Sequence, residues 1–150
     1  MSVYLVQHGL AFKESEDPER RLTPRGVEET ERVARYLAER GVEVGEIIHS
    51  GRARARQTAE IFARHLKAPV REGDGLGPND DPSIWAGRLA EVSHSIMLVG
   101  HLPHLSRLSS LLLVGNPDVE IIKFRYSGVA KLERDGARWA LAWYITPELV

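Results

Sequence analysis

Three short apolar runs constrain this 150-residue chain more than anything else in it: Val3-Tyr4-Leu5-Val6, Ile47-Ile48 inside the segment 46–49, and Ile96-Met97-Leu98-Val99. Runs that are continuously apolar, rather than alternating, are what strands covered on both faces require. Stretches of helical periodicity lie between them, so strands and helices alternate. That order predicts an α/β fold: three-layer α/β/α with a mixed, mostly parallel central sheet.

The helix boundaries are marked by their caps. Thr23-Pro24 reads as N-cap and first-turn proline of a helix running to about Arg40 and stopped by Gly41, with Val27, Val33, Ala34 and Leu37 as its apolar stripe. A second helix starts near Ser50 and carries Ile61, Phe62 and Leu66. A weak extended piece at 69–71 and a glycine-rich loop at 72–80 follow; Asp81-Pro82 then opens a helix to about Val92, and Pro103 opens another that ends at Gly115-Asn116-Pro117. The tail reads as strands at 121–125, 129–134 and 138–145, the last two joined by Asp135-Gly136 as a C-terminal antiparallel hairpin. No repeat, linker or low-complexity segment divides the chain, which predicts one domain over 1–150.

Composition narrows the function. Zero cysteine excludes disulfides, iron–sulfur clusters, thiolate zinc sites and a thiol nucleophile. A net charge of −1 argues against a nucleic-acid partner, which usually meets a basic excess. No stretch is apolar for long enough to span a membrane, and no leader precedes the first strand, so a soluble, cytoplasmic protein is expected.

The chemistry sits where the strands end. His8 follows the first run within Gln7-His8-Gly9, and His101 follows the third within Gly100-His101-Leu102-Pro103. In open α/β sheets the ligand crevice lies beyond the carboxyl ends of the strands. Two imidazoles 93 positions apart can therefore meet across one site. The second strand delivers Ser50-Gly51-Arg52-Ala53-Arg54-Ala55-Arg56-Gln57-Thr58 to the same place. At about 100° per residue, Arg54 shares a face with Gln57, Thr58 and Ile61, whereas Arg52 and Arg56 point roughly opposite, toward solvent.

These residue types suit a phosphate ester or a phosphoramidate. His8 is the candidate nucleophile, provided an acceptor such as a backbone carbonyl holds one ring N–H and leaves the other nitrogen free. Gly9 lets backbone or substrate approach closely. His101 is the candidate donor to a phosphoryl oxygen, beside a helix N-terminus that adds free N–H groups. Arg54 is the candidate clamp, because a planar guanidinium can make two charge-assisted bonds to one phosphoryl group. Asp74, Asp80 and Asp81 are acids within reach of no fixed role. His49, His65 and His94 read as strand-end or surface residues, and Trp85, Trp139 and Trp143 as packing.

Taken together, Gln7-His8-Gly9, Leu22-Thr23-Pro24-Arg25-Gly26, the segment 50–58 and Gly100-His101-Leu102-Pro103 resemble the histidine phosphatase (phosphoglycerate mutase-like) superfamily, and the short length resembles its SixA-type phosphohistidine phosphatases. The resemblance implies transient phosphorylation of His8, release by water, no metal or other cofactor, and a phosphate pocket lined by Arg54 and His101. It also implies a phosphate-binding role for Gln7, Gly9 and, matching a basic position of SixA-like chains, Arg20. The implied partner is a phosphohistidine on a protein; a small phosphorylated substrate is the alternative. One departure stands out: the family motif opens Arg-His-Gly, and here Gln7 holds the arginine position without its charge. A binding protein of the same fold with impaired catalysis is therefore the rival reading. A metallohydrolase built on His8, His101 and His104 is a third, weakened by Pro103 interrupting a regular helical pair. The edge of the final hairpin could support a homodimer.

Overall fold

The computed structural model describes residues 1–150. Its elements run β1 (Ser2–Gln7), α1 (Pro24–Glu39), β2 (Glu46–His49), α2 (Ala53–Leu66), β3 (Val70–Glu72), α3 (Pro82–Glu91), β4 (Ile96–Gly100), α4 (His104–Val114), β5 (Val129–Asp135), β6 (Arg138–Ile145) and a final 3-10 turn (Pro147–Leu149). The six strands form one sheet in the order β3-β2-β4-β1-β5-β6. β1, β2, β3 and β4 pair in parallel, while β5 is antiparallel to both β1 and β6. This is the expected three-layer α/β/α fold with a mixed sheet.

Alternation along the strands builds two cores. Val3, Leu5, Ile96 and Leu98 face one side and pack with Trp85 and Leu89 of α3 and Leu105 and Leu108 of α4. Tyr4, Val6, Met97 and Val99 face the other and pack with Val33 and Leu37 of α1 and Ala59, Ile61 and Phe62 of α2. Truncating Phe62, which is fully buried, would cost about 3–5 kcal/mol. The α3–α4 layer is tied to the hairpin by Arg134, which donates to the carbonyls of Leu89, Ala90 and Val92 and so satisfies the free end of α3.

The caps fall where the sequence puts them at two helices. Thr23 Oγ1 accepts from the Gly26 amide at 3.0 Å, and Asp81 accepts from Ser83 at 2.9 Å. Two boundaries differ. α2 begins at Ala53 rather than Ser50, and Pro103 precedes α4 as its cap, not as its first residue.

One expected strand is absent. Residues 121–125 carry alternating apolar side chains, and Ile122 and Phe124 do point into the α3–α4 core. Both edges of β1 are already taken by β4 and β5, however, and both edges of β5 by β1 and β6. The segment therefore crosses as an unpaired connection. The hairpin turn also slips by one: Asp135 pairs with Arg138, leaving Gly136-Ala137 as the loop, with Gly136 at φ 63°. No helix is long and apolar enough to cross a membrane.

Candidate active site

β2, β4 and β1 are neighbours in the sheet and run the same way, so their carboxyl ends present Ser50, His101 and His8 side by side. The two imidazoles stand with ring centroids 5.0 Å apart and planes tilted by 51°. Both are buried, at 6% and 2% exposure.

His8 is held from several directions. Its backbone N–H donates to Gly100 at 3.0 Å, which locks it to the end of β4. Its Nδ1 lies 2.7 Å from the Gly9 carbonyl oxygen. A carbonyl only accepts, so Nδ1 carries the proton and the lone pair sits on Nε2. Burial pushes the His8 imidazole down to about 4, with the charges of Arg54 and Arg20 adding to it against the Gly9 hydrogen bond. His8 is thus neutral at physiological pH. His101 is pushed lower still, to about 2, by burial first and then by His8 and the arginines Arg54 and Arg52.

The Gly9 amide donates to Thr58 Oγ1 at 2.9 Å, and that hydroxyl donates to the Arg54 carbonyl at 2.8 Å. This chain of bonds couples the histidine loop to the first turn of α2. Gly9 is tightly enclosed: a Cβ there would lie 2.8 Å from Thr30 Oγ1 and 3.2 Å from the Gly26 carbonyl. Gly26 in turn has no room, since its Cβ would meet the Leu10 oxygen at 2.1 Å. The Leu22-Thr23-Pro24-Arg25-Gly26 element is therefore a close contact between α1 and the loop after β1.

The arginines divide as the helical geometry predicts. Arg52 and Arg56 are exposed, while Arg54 is half-buried with its Nε enclosed and without a partner. Arg54 is close enough for its charge to depress both imidazoles. Arg20 adopts φ 50°, its Nε donates to the Phe12 carbonyl at 3.2 Å, and its charge acts on both His8 and Arg54. Gln7 is buried at the end of β1 with its Oε1 unpartnered. Residues 7, 8, 9, 20, 54 and 101 thus gather in one neighbourhood.

The candidate acids do not join them. Asp81 caps α3, Asp80 accepts the Gly77 amide at 2.7 Å, and Asp74 pairs with Arg88 at 2.9 Å. They line or flank a polar cleft of about 420 Å³ that opens past Ser50 and Arg52. His104 is fully enclosed with neither ring nitrogen bonded, and no group of three or more His, Asp or Glu is arranged to hold a metal ion.

Three residues enter the site that sequence reasoning assigned no role: Ser50, Thr58 and Tyr126. Ser50 Oγ lies 2.6 Å from His101 Nε2, and Thr58 makes the bonds described above. Tyr126 stands beside His8 with centroids 5.6 Å apart, on a loop pinned by the Ser127–Thr30 hydroxyl pair at 2.7 Å. Ser50 directly follows a buried strand, which was a usable clue. Nothing in the pattern around Tyr126 points to the site.

Residues 3–94 match the model of the histidine phosphatase superfamily (branch 1), and the chain belongs to that superfamily. The match contains His8 and Arg54; it is the fold that brings in His101. Within the superfamily the chain is of the SixA type. It superposes on the protein histidine phosphatase SixA complexed with tungstate with TM-score 0.87 and 26% identity, covering 99% of both chains. A SixA protein from Agrobacterium tumefaciens gives TM-score 0.79 and 28% identity over 97% of each chain. An uncharacterised protein of Picosynechococcus sp. is 30% identical across 92% of this chain and 88% of its own length. The human mitochondrial serine/threonine-protein phosphatase PGAM5 is 32% identical over 55% of this chain, but over only 32% of its own length.

Proposed function

We propose that the chain is a metal-independent phosphatase that carries the phosphoryl group on His8, with a protein phosphohistidine as its substrate. The observation that carries this reading is the hydrogen bond of His8 Nδ1 to the Gly9 carbonyl, which leaves the Nε2 lone pair free on a neutral ring whose centroid lies 5.0 Å from that of a second buried histidine.

In the first step His8 Nε2 attacks phosphorus, a new N–P bond forms and the bond to the leaving group breaks. Arg54 and Arg20 bind the phosphoryl oxygens, with the Gln7 side-chain amide as a neutral donor. His101 donates to a third oxygen where charge builds up. A leaving imidazole protonated on its other nitrogen departs neutral, which suits a site whose carboxylates are engaged elsewhere. In the second step water attacks phosphorus, the N–P bond breaks, and inorganic phosphate and free His8 result.

The likeness to SixA chains favours phosphohistidine over small esters. The test is a panel of a phosphohistidine protein and small phosphomonoesters, run with and without EDTA. Preference for the phosphohistidine protein, unaffected by EDTA, is expected; preference for a small ester would replace the substrate, and loss with EDTA would replace the mechanism.

Gln7 favours a second reading, a phosphate-ester-binding protein with impaired catalysis, because it removes a positive charge from the position the family fills with arginine. Ligand binding without turnover, in both the wild type and Gln7→Arg, would select it. The unpaired outer edge of β6 is the surface we propose for any self-association.

A further inference from the structure

Each of the two site histidines, His8 and His101, has a hydrogen-bond partner at one ring nitrogen, and the two partners differ in kind. His8 meets a carbonyl, which can only accept. His101 meets the Ser50 hydroxyl, which can do either, at 2.6 Å from Nε2. The surroundings decide which. Ser50 Oγ also accepts the Arg52 amide at 3.4 Å, and no other acceptor stands near its proton. If Nε2 of His101 carried the hydrogen, Ser50 would accept twice, its own proton would turn away from the ring into the cleft that it lines, and the ring would keep only a bare lone pair at Nδ1. The other ring nitrogen, Nδ1, is fully enclosed and without a partner, as is the Nε–H of Arg54. Arg54 Nε can only donate, and an ionised phosphoryl oxygen can only accept. A phosphoryl oxygen that reaches His101 can therefore be bonded by Nδ1 only if Nδ1 bears a proton.

We infer that the Ser50 hydroxyl donates to His101 Nε2 and holds that ring in its Nδ1–H tautomer, so that a proton is presented to the phosphoryl oxygen. Ser50 is a positioning residue: it acts through His101 and touches no reacting atom. The inference deepens the phosphatase reading and rests on it for the role of the presented N–H. The result is a division of labour set by the two partners. The Gly9 carbonyl makes His8 a lone-pair donor toward phosphorus, and the Ser50 hydroxyl makes His101 a proton donor toward oxygen. A histidine whose tautomer is set wrongly loses most of its catalytic value even when its position is intact.

The experiment is nitrogen NMR of histidine-labelled protein at neutral pH, with His101 assigned by comparison with His101→Asn. The resting wild type should show His101 Nδ1 protonated and Nε2 unprotonated, and Ser50→Ala should move His101 toward a mixture of tautomers. In turnover, Ser50→Ala should lower kcat about 10- to 100-fold with little change in KM, and Ser50→Thr, which keeps the hydroxyl, should recover most of it. Urea denaturation of each variant separates a folding defect from a tautomer effect. A wild-type His101 protonated on Nε2, or an unchanged tautomer in Ser50→Ala, overturns the inference. Because the resting spectrum needs no substrate, it answers even if the protein hydrolyses nothing. Conversely, the expected tautomer with no response of His101 to added inorganic phosphate counts against the phosphatase reading alone.

Discussion

The hydroxyl of Thr58 accepts the Gly9 amide at 2.9 Å, and that bond ties α2 to the loop carrying His8. Thr58→Val keeps the shape and removes the acceptor, leaving a buried N–H unsatisfied at a cost of about 1–3 kcal/mol. Urea denaturation should register that loss, and kcat should fall with it because His8 is no longer braced. Thr58→Ser should restore both. A valine variant as stable and as active as wild type would show that Gly9 needs no partner.

Gln7 ends β1 beside the histidine pair, buried and uncharged. Gln7→Arg should raise kcat/KM by roughly 10²-fold or more, the usual worth of one aimed donor in such a site. The comparison is steady-state turnover of wild type and variant on the same substrate. An unchanged rate with ligand binding retained would mean that the missing charge is not what limits this chain.

Arg54 has two measurable effects. Arg54→Ala should lower kcat/KM about 10²- to 10³-fold through loss of the phosphoryl clamp. It also removes a positive charge that, after burial, holds both imidazoles below their ordinary value. Their pKa values should therefore rise, and the acid limb of the pH–rate profile should move to higher pH. A profile whose acid limb stays in place would put Arg54 too far from the histidines to act on them.

The buried histidines also make stability depend on pH. Their folded pKa values lie below the unfolded value of about 6.5, so the unfolded chain binds more protons and stability falls as pH drops below that point. The loss continues down to about 4 for His8. Between pH 6.5 and 5, each of His8 and His101 should account for on the order of 1.5 kcal/mol, read from urea midpoints. His8→Asn with His101→Asn should reduce that slope, leaving the part due to His49 and His104, whose imidazoles burial also pushes down. An equally steep slope in the double variant would assign it to other groups.

Much of the site was readable from the chain because strand ends and helix faces are local properties. Continuous apolar runs placed His8, Ser50 and His101 at carboxyl ends, and helical phase separated Arg54 from Arg52 and Arg56. What could not be read depends on sheet order. Residues 121–125 alternate like a strand, yet β1 and β5 already have both edges paired. Tyr126 and Ser127 reach the site only because the connection from α4 to β5 passes over His8, a fact of topology. The engagement of Asp74, Asp80 and Asp81 likewise depends on loop contacts with Arg88 and with backbone amides.

The most direct test is to mix the protein with labelled phosphohistidine protein, quench within one turnover and assay for phosphate bound to the chain. The label should be stable to base, released by acid, located on His8, and absent from His8→Ala. Turnover that proceeds with no bound label, or label that persists in His8→Ala, would contradict the central claim.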